Sequence, residues 1–270
     1  MESLDPERPL RLHRTTGLRP EQLDELVERC FQHQHTQDSS PGKQAGRPAA
    51  LSFYRSIAVT VAYIRQNIVQ EVLAEIFDTS QSSISRAITA MTPVIAAALQ
   101  VCVPDLADAI RGEVTLVDGS LLPCWSWRKH PELYSGKHHT TGHNVQVVAS
   151  LEGRVLHISD PLPGKTHDIA ALRQHGLDAA LDLSNTIADK GYQGLPDAFT
   201  PIKKLPGNEL NDHDRALNHD INSLRAAVEL ANAHIKNWKI LHTDYRRPLK
   251  TFNKTLDAVR GLIFFTMDCE

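Results

Sequence analysis

Apolar residues recur with helical spacing in the first hundred positions and in short strand-like runs after them. Between positions 52 and 67, Phe53, Ile57, Val61 and Ile64 fall at i, i+4, i+8 and i+11, one face of an α-helix. Residues 70–77 predict a short helix with Leu73, Ile76 and Phe77 inward. Asp78-Thr79-Ser80 interrupts it. Ser80 is placed to cap a further helix, 81–91, that buries Ile84, Ile88 and Met91. Upstream, 20–31 predicts one short helix, and 32–48 is polar without apolar period and reads as a linker.

From Glu113 the pattern changes. Residues 113–117, 144–150, 154–159 and 185–188 predict strands, with Glu152-Gly153 as a hairpin turn. Helices are predicted over 169–175 and 223–241. Strands joined by a hairpin, then a helix, a strand and a helix, describe an α/β block built on a mixed sheet. The expected organisation is therefore an N-terminal helix and linker (1–48), an all-α segment (49–110) and an α/β domain (111–270).

The all-α segment has the pattern of a helix-turn-helix. Gln81, Ser82, Ser83, Ser85 and Arg86 are expected on the exposed first turns of its second helix, where they could reach base edges and phosphates. An ordinary three-helix bundle is the alternative, and the turn lacks the glycine often found there.

Composition narrows the classes. The 270 residues are 41% hydrophobic and 23% charged, which suits a folded globular protein of one or two domains. No run approaches the roughly 18 apolar residues of a membrane span, and the first residues lack a signal-peptide core. Cys30, Cys102, Cys124 and Cys269 form no CxxC pair. The expectation is an intracellular, cytoplasmic protein with reduced thiols, no membrane partner and no structural zinc. His138, His139 and His143 lack a cysteine or carboxylate to complete a tetrahedral zinc set and read as a polar loop. Trp125 and Trp127 would share a strand face and pack in the core. A net charge of -3 argues against a nucleic-acid coat protein, yet the stretch from Arg225 to Arg260 holds eight basic residues and three acidic ones.

Asp118 and Asp189 each follow an apolar strand, where catalytic groups of open α/β sheets gather. On the 223–241 helix, Leu224, Val228, Ala231, Ile235 and Trp238 form a core stripe. Beside it runs a second stripe of Arg225, Glu229, Asn232 and Lys236, which puts Glu229 at the edge of the core. Three convergent carboxylates would hold Mg2+ or Mn2+ in preference to zinc, with two ions expected for in-line phosphoryl transfer.

The runs VDGS, YSGKHHTTGHNVQVVASLEGRVLHISDPLPGKTHDI, IADKGYQG and RAAVELANAHIKNW, in that order, resemble the DDE transposases of the IS5 and Harbinger-like group. The last contains R-x3-E-x6-K as Arg225, Glu229 and Lys236; the tyrosine often found three residues before the arginine is Asn222 here. The resemblance covers the chain from about Leu51 onward. It implies an RNase H-like catalytic domain behind a helix-turn-helix, with Asp118, Asp189 and Glu229 as catalytic and metal-binding residues. It implies that Asp168 of GKTHD supports that site or caps a helix, with direct metal contact as the alternative. Lys137, Lys190 and Arg225 would contact phosphate, as would Lys236 and the basic segment containing Arg246, Arg247 and Lys254. The implied partners are DNA, as inverted-repeat element ends and target, and further copies of the chain on that DNA. The implied activity is metal-dependent strand cleavage and strand transfer. The alternatives are a DNA-binding descendant that no longer cuts, or an endonuclease without strand joining.

Overall fold

The computed structural model describes residues 12–37, 50–125, 129–204 and 209–267. In chain order the helices are α1 (His13–Thr16), α2 (Pro20–Gln37), α3 (Phe53–Gln66), α4 (Gln70–Ile76), α5 (Gln81–Ala98) and α6 (Leu106–Ala109). Then come strands β1 (Thr115–Pro123), β2 (Tyr134–Ser135), β3 (Thr140–Ser150), β4 (Val155–Ile158) and β5 (Leu162–Pro163). Helices α7 (Asp168–Gln174) and α8 (Leu177–Ala180) precede β6 (Thr186–Ala188). The chain closes with α9 (Asp212–Leu224), α10 (Ala226–Lys236), α11 (Lys239–His242) and α12 (Phe252–Met267). Trp127, Cys269 and much of the expected linker lie outside the described residues.

The chain divides into two units. The first holds the described residues from 12 to 103 together with 237–243 and 247–267. In it, α5 packs on α2, α3, α4 and α12. The Ser80 hydroxyl accepts from the Ser83 N–H and caps α5 as the sequence suggests. The glycine missing from the turn is replaced by Asp78, which itself adopts φ 51°; aspartate tolerates this region better than most residues. The helix does not stop at Met91 but runs through Pro93 to Ala98. Pro93 falls on the exposed side, where a missing hydrogen bond is least costly. The segment Gln81–Cys102 is long and apolar enough by length and composition to cross a membrane, but Ile84, Ile88 and Ile95 are fully buried within the unit, as in a core helix.

Helix α12 escapes the sequence pattern. Phe252, Leu256, Val259, Leu262, Ile263 and Phe265 surround it with buried apolar side chains, leaving little amphipathic period to detect. Gly261 lets it approach the residue after α5, since a Cβ there would stand 2.6 Å from Leu99 Cβ. The unit thus contains C-terminal residues that a linear reading assigns to the α/β block. The expected 223–241 helix is broken as well. It becomes α9, α10 and α11, and Leu224 is exposed while Trp238 is buried in the first unit with the Arg65 guanidinium 5.0 Å from its ring.

The second unit holds residues 104–236, as described, and 244–246. Its mixed sheet has the path β2-β3-β1-β6, with β4 and β5 also paired to β3. β1 and β3 are antiparallel; β1 and β6 are parallel, with Val117 beside Ala188. Past β6, Phe199 forms a parallel bridge with Ile187. Because register partners share a face, Val117, Val148 and Ala188 point one way, into a core with Leu156, Leu172, Leu177 and Tyr192. Asp118 and Val147 point the other way, toward α10, which packs on β1 and β3. β1 does not end at Val117: Asp118-Gly119-Ser120 continues as strand. Its Gly and polar residues imitate a turn, and the reason for the glycine lies in the site.

Candidate active site

Asp118 follows Val117 within β1, and Asp189 leaves β6 one residue after Ala188. Since Val117 and Ala188 are register partners, the two carboxylates emerge side by side from adjacent parallel strands. Asp189 Oδ1 accepts the Gly191 N–H and caps the turn Lys190–Tyr192, which stops β6 and fixes the carboxylate. Burial holds the Asp118 carboxyl above the usual carboxylate range, and the charge of Asp189 adds to the effect; Arg225, Asn232 and Lys137 oppose it.

Helix α10 supplies the other wall. Asn232 Nδ2 donates to Asp118 Oδ2 at 2.9 Å. Arg225, which caps α9 immediately before α10, brings Nη2 to 4.0 Å from Asp189 Oδ2. Glu229 stands four residues after Arg225 and three before Asn232, between two side chains that reach the aspartates. It is exposed rather than set at the core edge, and its carboxylate makes no hydrogen bond or ion pair among the described residues. Asn232, not Glu229, is the polar side chain that α10 turns inward beside Val228, Ala231 and Ile235. Lys236 is exposed at the end of the same stripe.

Asp168 is only 8% exposed. It opens α7 but does not cap it; His167 holds the N-cap position. Its Oδ2 accepts from Lys137 Nζ at 2.7 Å and its Oδ1 from Asn144 Nδ2 at 3.0 Å. Asn144 Oδ1 accepts from Gln146 Nε2 at 2.9 Å, and Gln146 Oε1 from the Tyr192 hydroxyl at 2.6 Å. Gly119 and Gly191 make room for Asp168: a Cβ at Gly119 would collide with Asp168 Oδ1, and one at Gly191 would lie 3.0 Å from Oδ2. Sequence reasoning missed Asn144, Gln146 and Tyr192. The signal was present in NVQVV, where polar residues at i and i+2 continue one face of an otherwise apolar strand.

The remaining residues expected at DNA are distributed as follows. Lys137 and Lys190 are exposed, and burial of Lys137 is outweighed by Asp168, Asp189 and Asp118, which raise its ammonium above the ordinary lysine value. In the first unit Gln81, Ser82 and Arg86 are exposed and Ser85 is half-buried. Ser83 is buried, because its hydroxyl turns back to Ser80 Oγ and accepts from Arg86 Nη2 at 3.2 Å. Arg247 Nη2 donates to Thr89 Oγ1 on α5 at 3.0 Å, tying the basic segment to that helix. Arg246 belongs to the second unit, next to Tyr245, which bridges to Cys124 beyond the end of β1.

No group of three or more His, Cys, Asp or Glu side chains among the described residues is arranged to hold a metal ion. The residues at the Asp118–Asp189 pair nevertheless suit a hard divalent cation. Two carboxylates stand together, with Asp118 raised first by burial and further by the charge of Asp189. Beside them Asn232 Oδ1 is buried without a hydrogen-bond partner among the described residues. All of these donors are oxygens, the set magnesium and manganese prefer.

Residues 117–263 match the family described as DDE superfamily endonuclease. Over 227 residues, 84% of this chain and 83% of the relative, the chain is 31% identical to a protein named putative transposase for insertion sequence element IS112 of Streptomyces albus G. Over 234 residues, 83% of this chain and 84% of the relative, it is 23% identical to a probable transposase for insertion sequence element IS702 of Microchaete diplosiphon. No solved structure matches it significantly. DDE endonucleases generally use divalent metal ions. With the family matched over more than half of the chain and a relative named a putative transposase matched over 84% of this chain and 83% of its own length, the chain belongs to the DDE superfamily endonucleases and is an enzyme of the nuclease and transposase type.

Proposed function

We propose that this enzyme is an insertion-sequence transposase of the IS5 and Harbinger-like group, which binds the inverted-repeat ends of its element, cleaves there and joins the freed 3′-OH to target DNA. The observation that carries the reading is the emergence of Asp118 and Asp189 side by side from adjacent parallel strands under α10, which bears Glu229, Asn232 and Lys236, with Arg225 at the junction just before it. The sheet supports an RNase H-like assignment: an antiparallel β1–β3–β4 meander, then β6 parallel to β1 on its other side.

Asp118, Asp189 and Glu229 would hold one or two Mg2+ or Mn2+ ions. The metal, when bound, activates a nucleophilic oxygen and neutralises charge on the scissile phosphate. The protein's own groups do the rest. Asn232 orients the Asp118 carboxylate. Arg225 offsets negative charge at Asp189 and, with Lys137, Lys190 and Lys236, supplies cations to the phosphate backbone. The hydrolytic and joining steps then differ only in the nucleophile, water in one and a 3′-OH in the other.

In the first unit, α4, the Asp78 turn and α5 would act as a helix-turn-helix. Gln81, Ser82, Ser85 and Arg86 would face DNA, and Ser83 would support Arg86 instead of reading bases. Arg247, fixed to Thr89, and its neighbours Arg246, Lys250 and Lys254 would add phosphate contacts. The transposase would work as a homodimer or larger assembly on DNA.

The test is incubation of the protein with Mg2+, a labelled duplex carrying the inverted repeat that flanks its gene, and a supercoiled plasmid. Cleavage at the repeat end and covalent joining to the plasmid are expected. Binding without cleavage would favour a DNA-binding descendant, and cleavage without joining an endonuclease.

A further inference from the structure

Asp168 is buried, charged and central, yet the proposed chemistry does not use it. Three motifs far apart in sequence converge on this one carboxylate. Lys137 approaches from the turn between β2 and β3, Asn144 from β3, and the two glycines from β1 and from the turn after β6. The hydrogen-bond chain through Asn144 and Gln146 ends on Tyr192, three residues after Asp189. A carboxylate so enclosed has little rotational freedom. Lys137, by contrast, lies on an exposed turn with 55% of its side chain accessible.

From this arrangement we infer that Asp168 is a positioning residue that anchors the Lys137 ammonium beside Asp118 and Asp189 as a fixed cation for an oxygen of the scissile phosphate. The inference rests on the functional reading above. Lysine is flexible, and fixing it on binding costs side-chain entropy. An ion pair with an immobile buried carboxylate meets that cost during folding, before DNA arrives. An ammonium has three donors, and the Asp168 bond engages one, leaving others for phosphate. A Cβ at Gly191 would lie 2.8 Å from Asp189 Oδ1 and 3.0 Å from Asp168 Oδ2, so the carboxylate that Lys137 bonds stands beside that of Asp189. Asp168 thus serves the site through Lys137, while Asp118, Asp189 and Glu229 would hold the ion.

The experiment is a double-mutant cycle on the full chain with the inverted-repeat duplex. It measures single-turnover cleavage and DNA affinity, and separately the affinity for Mn2+ alone. Lys137→Met should slow cleavage on the order of 100-fold, as the loss of one charge-stabilising donor does, and lower DNA affinity by much less, as the loss of one phosphate contact among several does. Asp168→Asn should slow wild-type cleavage similarly, add little in the Lys137→Met background and leave Mn2+ affinity intact. Loss of Mn2+ binding in Asp168→Asn, or independent additive losses, would overturn the proposal. Should Asp168→Asn fail to fold, Lys137→Arg decides. It can still pair with Asp168 and should recover most of the rate lost in Lys137→Met, and wild-type speed in Lys137→Met would refute the idea. A wild-type protein that binds the duplex but never cuts it would instead remove the functional reading, and this inference with it.

Discussion

Asn232 donates to Asp118 Oδ2 at 2.9 Å while its own Oδ1 stays buried without a partner among the described residues. A buried amide oxygen with no donor is costly, on the order of 1–3 kcal/mol. Its persistence beside two carboxylates fits a place that a metal ion or a water on that ion would complete. Asn232→Ala should therefore reduce cleavage about 10–100-fold, the usual effect of losing a group that orients a metal ligand. DNA affinity should hold. Single-turnover kinetics beside a binding titration separate the two, and unimpaired cleavage would show that Asp118 needs no such orientation.

The same pair predicts a stability effect of opposite sign to the functional one. Burial and Asp189 raise the folded-state carboxyl of Asp118 above its unfolded value. A raised acid contributes stability at pH below the carboxylate range, and this is lost as pH rises through the raised value. At neutral pH and without divalent metal, Asp118→Asn should stabilise the protein by on the order of 1 kcal/mol. That corresponds to a rise in Tm of about 2–4 °C for a domain of this size. Thermal unfolding in EDTA tests this, and added Mg2+ should raise the Tm of the wild type alone. A lower Tm for Asp118→Asn in EDTA would contradict it.

His143 predicts a second pH dependence. Burial lowers its imidazole from 6.5 to about 4. The unfolded chain then takes up a proton that the folded chain refuses, so stability present above 6.5 is lost as pH falls toward about 4. His143→Gln should flatten this part of the curve. Urea midpoints at about pH 7, 5.5 and 4.5 in constant salt would show it; identical slopes in both proteins would exclude His143 as the cause.

Much of this arrangement is legible in the sequence, for reasons that can be named. The α5 stripe follows a strict helical period because that helix has one buried face, and α3 shows the same apolar spacing although it is buried on all sides from Ile57 to Ile64. Asp189 ends β6 as an acid after an apolar strand should. What escapes the sequence depends on long-range packing. Gly119 looks like part of a turn because the carboxylate that requires it, Asp168, is 49 residues away. α12 carries no clear period because it is buried nearly all round. Glu229 and Asn232 belong to one predicted stripe, but which of them turns inward is decided by where α9 ends and α10 begins, a break at Arg225 that periodicity does not mark.

DNA recognition should divide between two groups in the first unit. Arg86→Ala should weaken discrimination between the inverted repeat and random duplex by about 1–3 kcal/mol, the range for a lost base contact. Arg247→Ala should weaken both equally and lower the salt dependence of binding, as loss of a phosphate contact does. Titrations of both duplexes at two salt concentrations distinguish these outcomes. A reversal of the two effects would make the Arg247 segment the reader and α5 the clamp.

The central claim is that Glu229 joins Asp118 and Asp189 in the chemistry although its side chain lies exposed. Single-turnover cleavage of the inverted-repeat duplex by Glu229→Gln in saturating Mg2+, at full DNA occupancy, tests it most directly. The account predicts cleavage reduced by at least about 100-fold, the scale of losing a transition-state charge partner, with DNA binding and Tm in EDTA unchanged. Cleavage at the wild-type rate would contradict it and leave the two aspartates without their third partner.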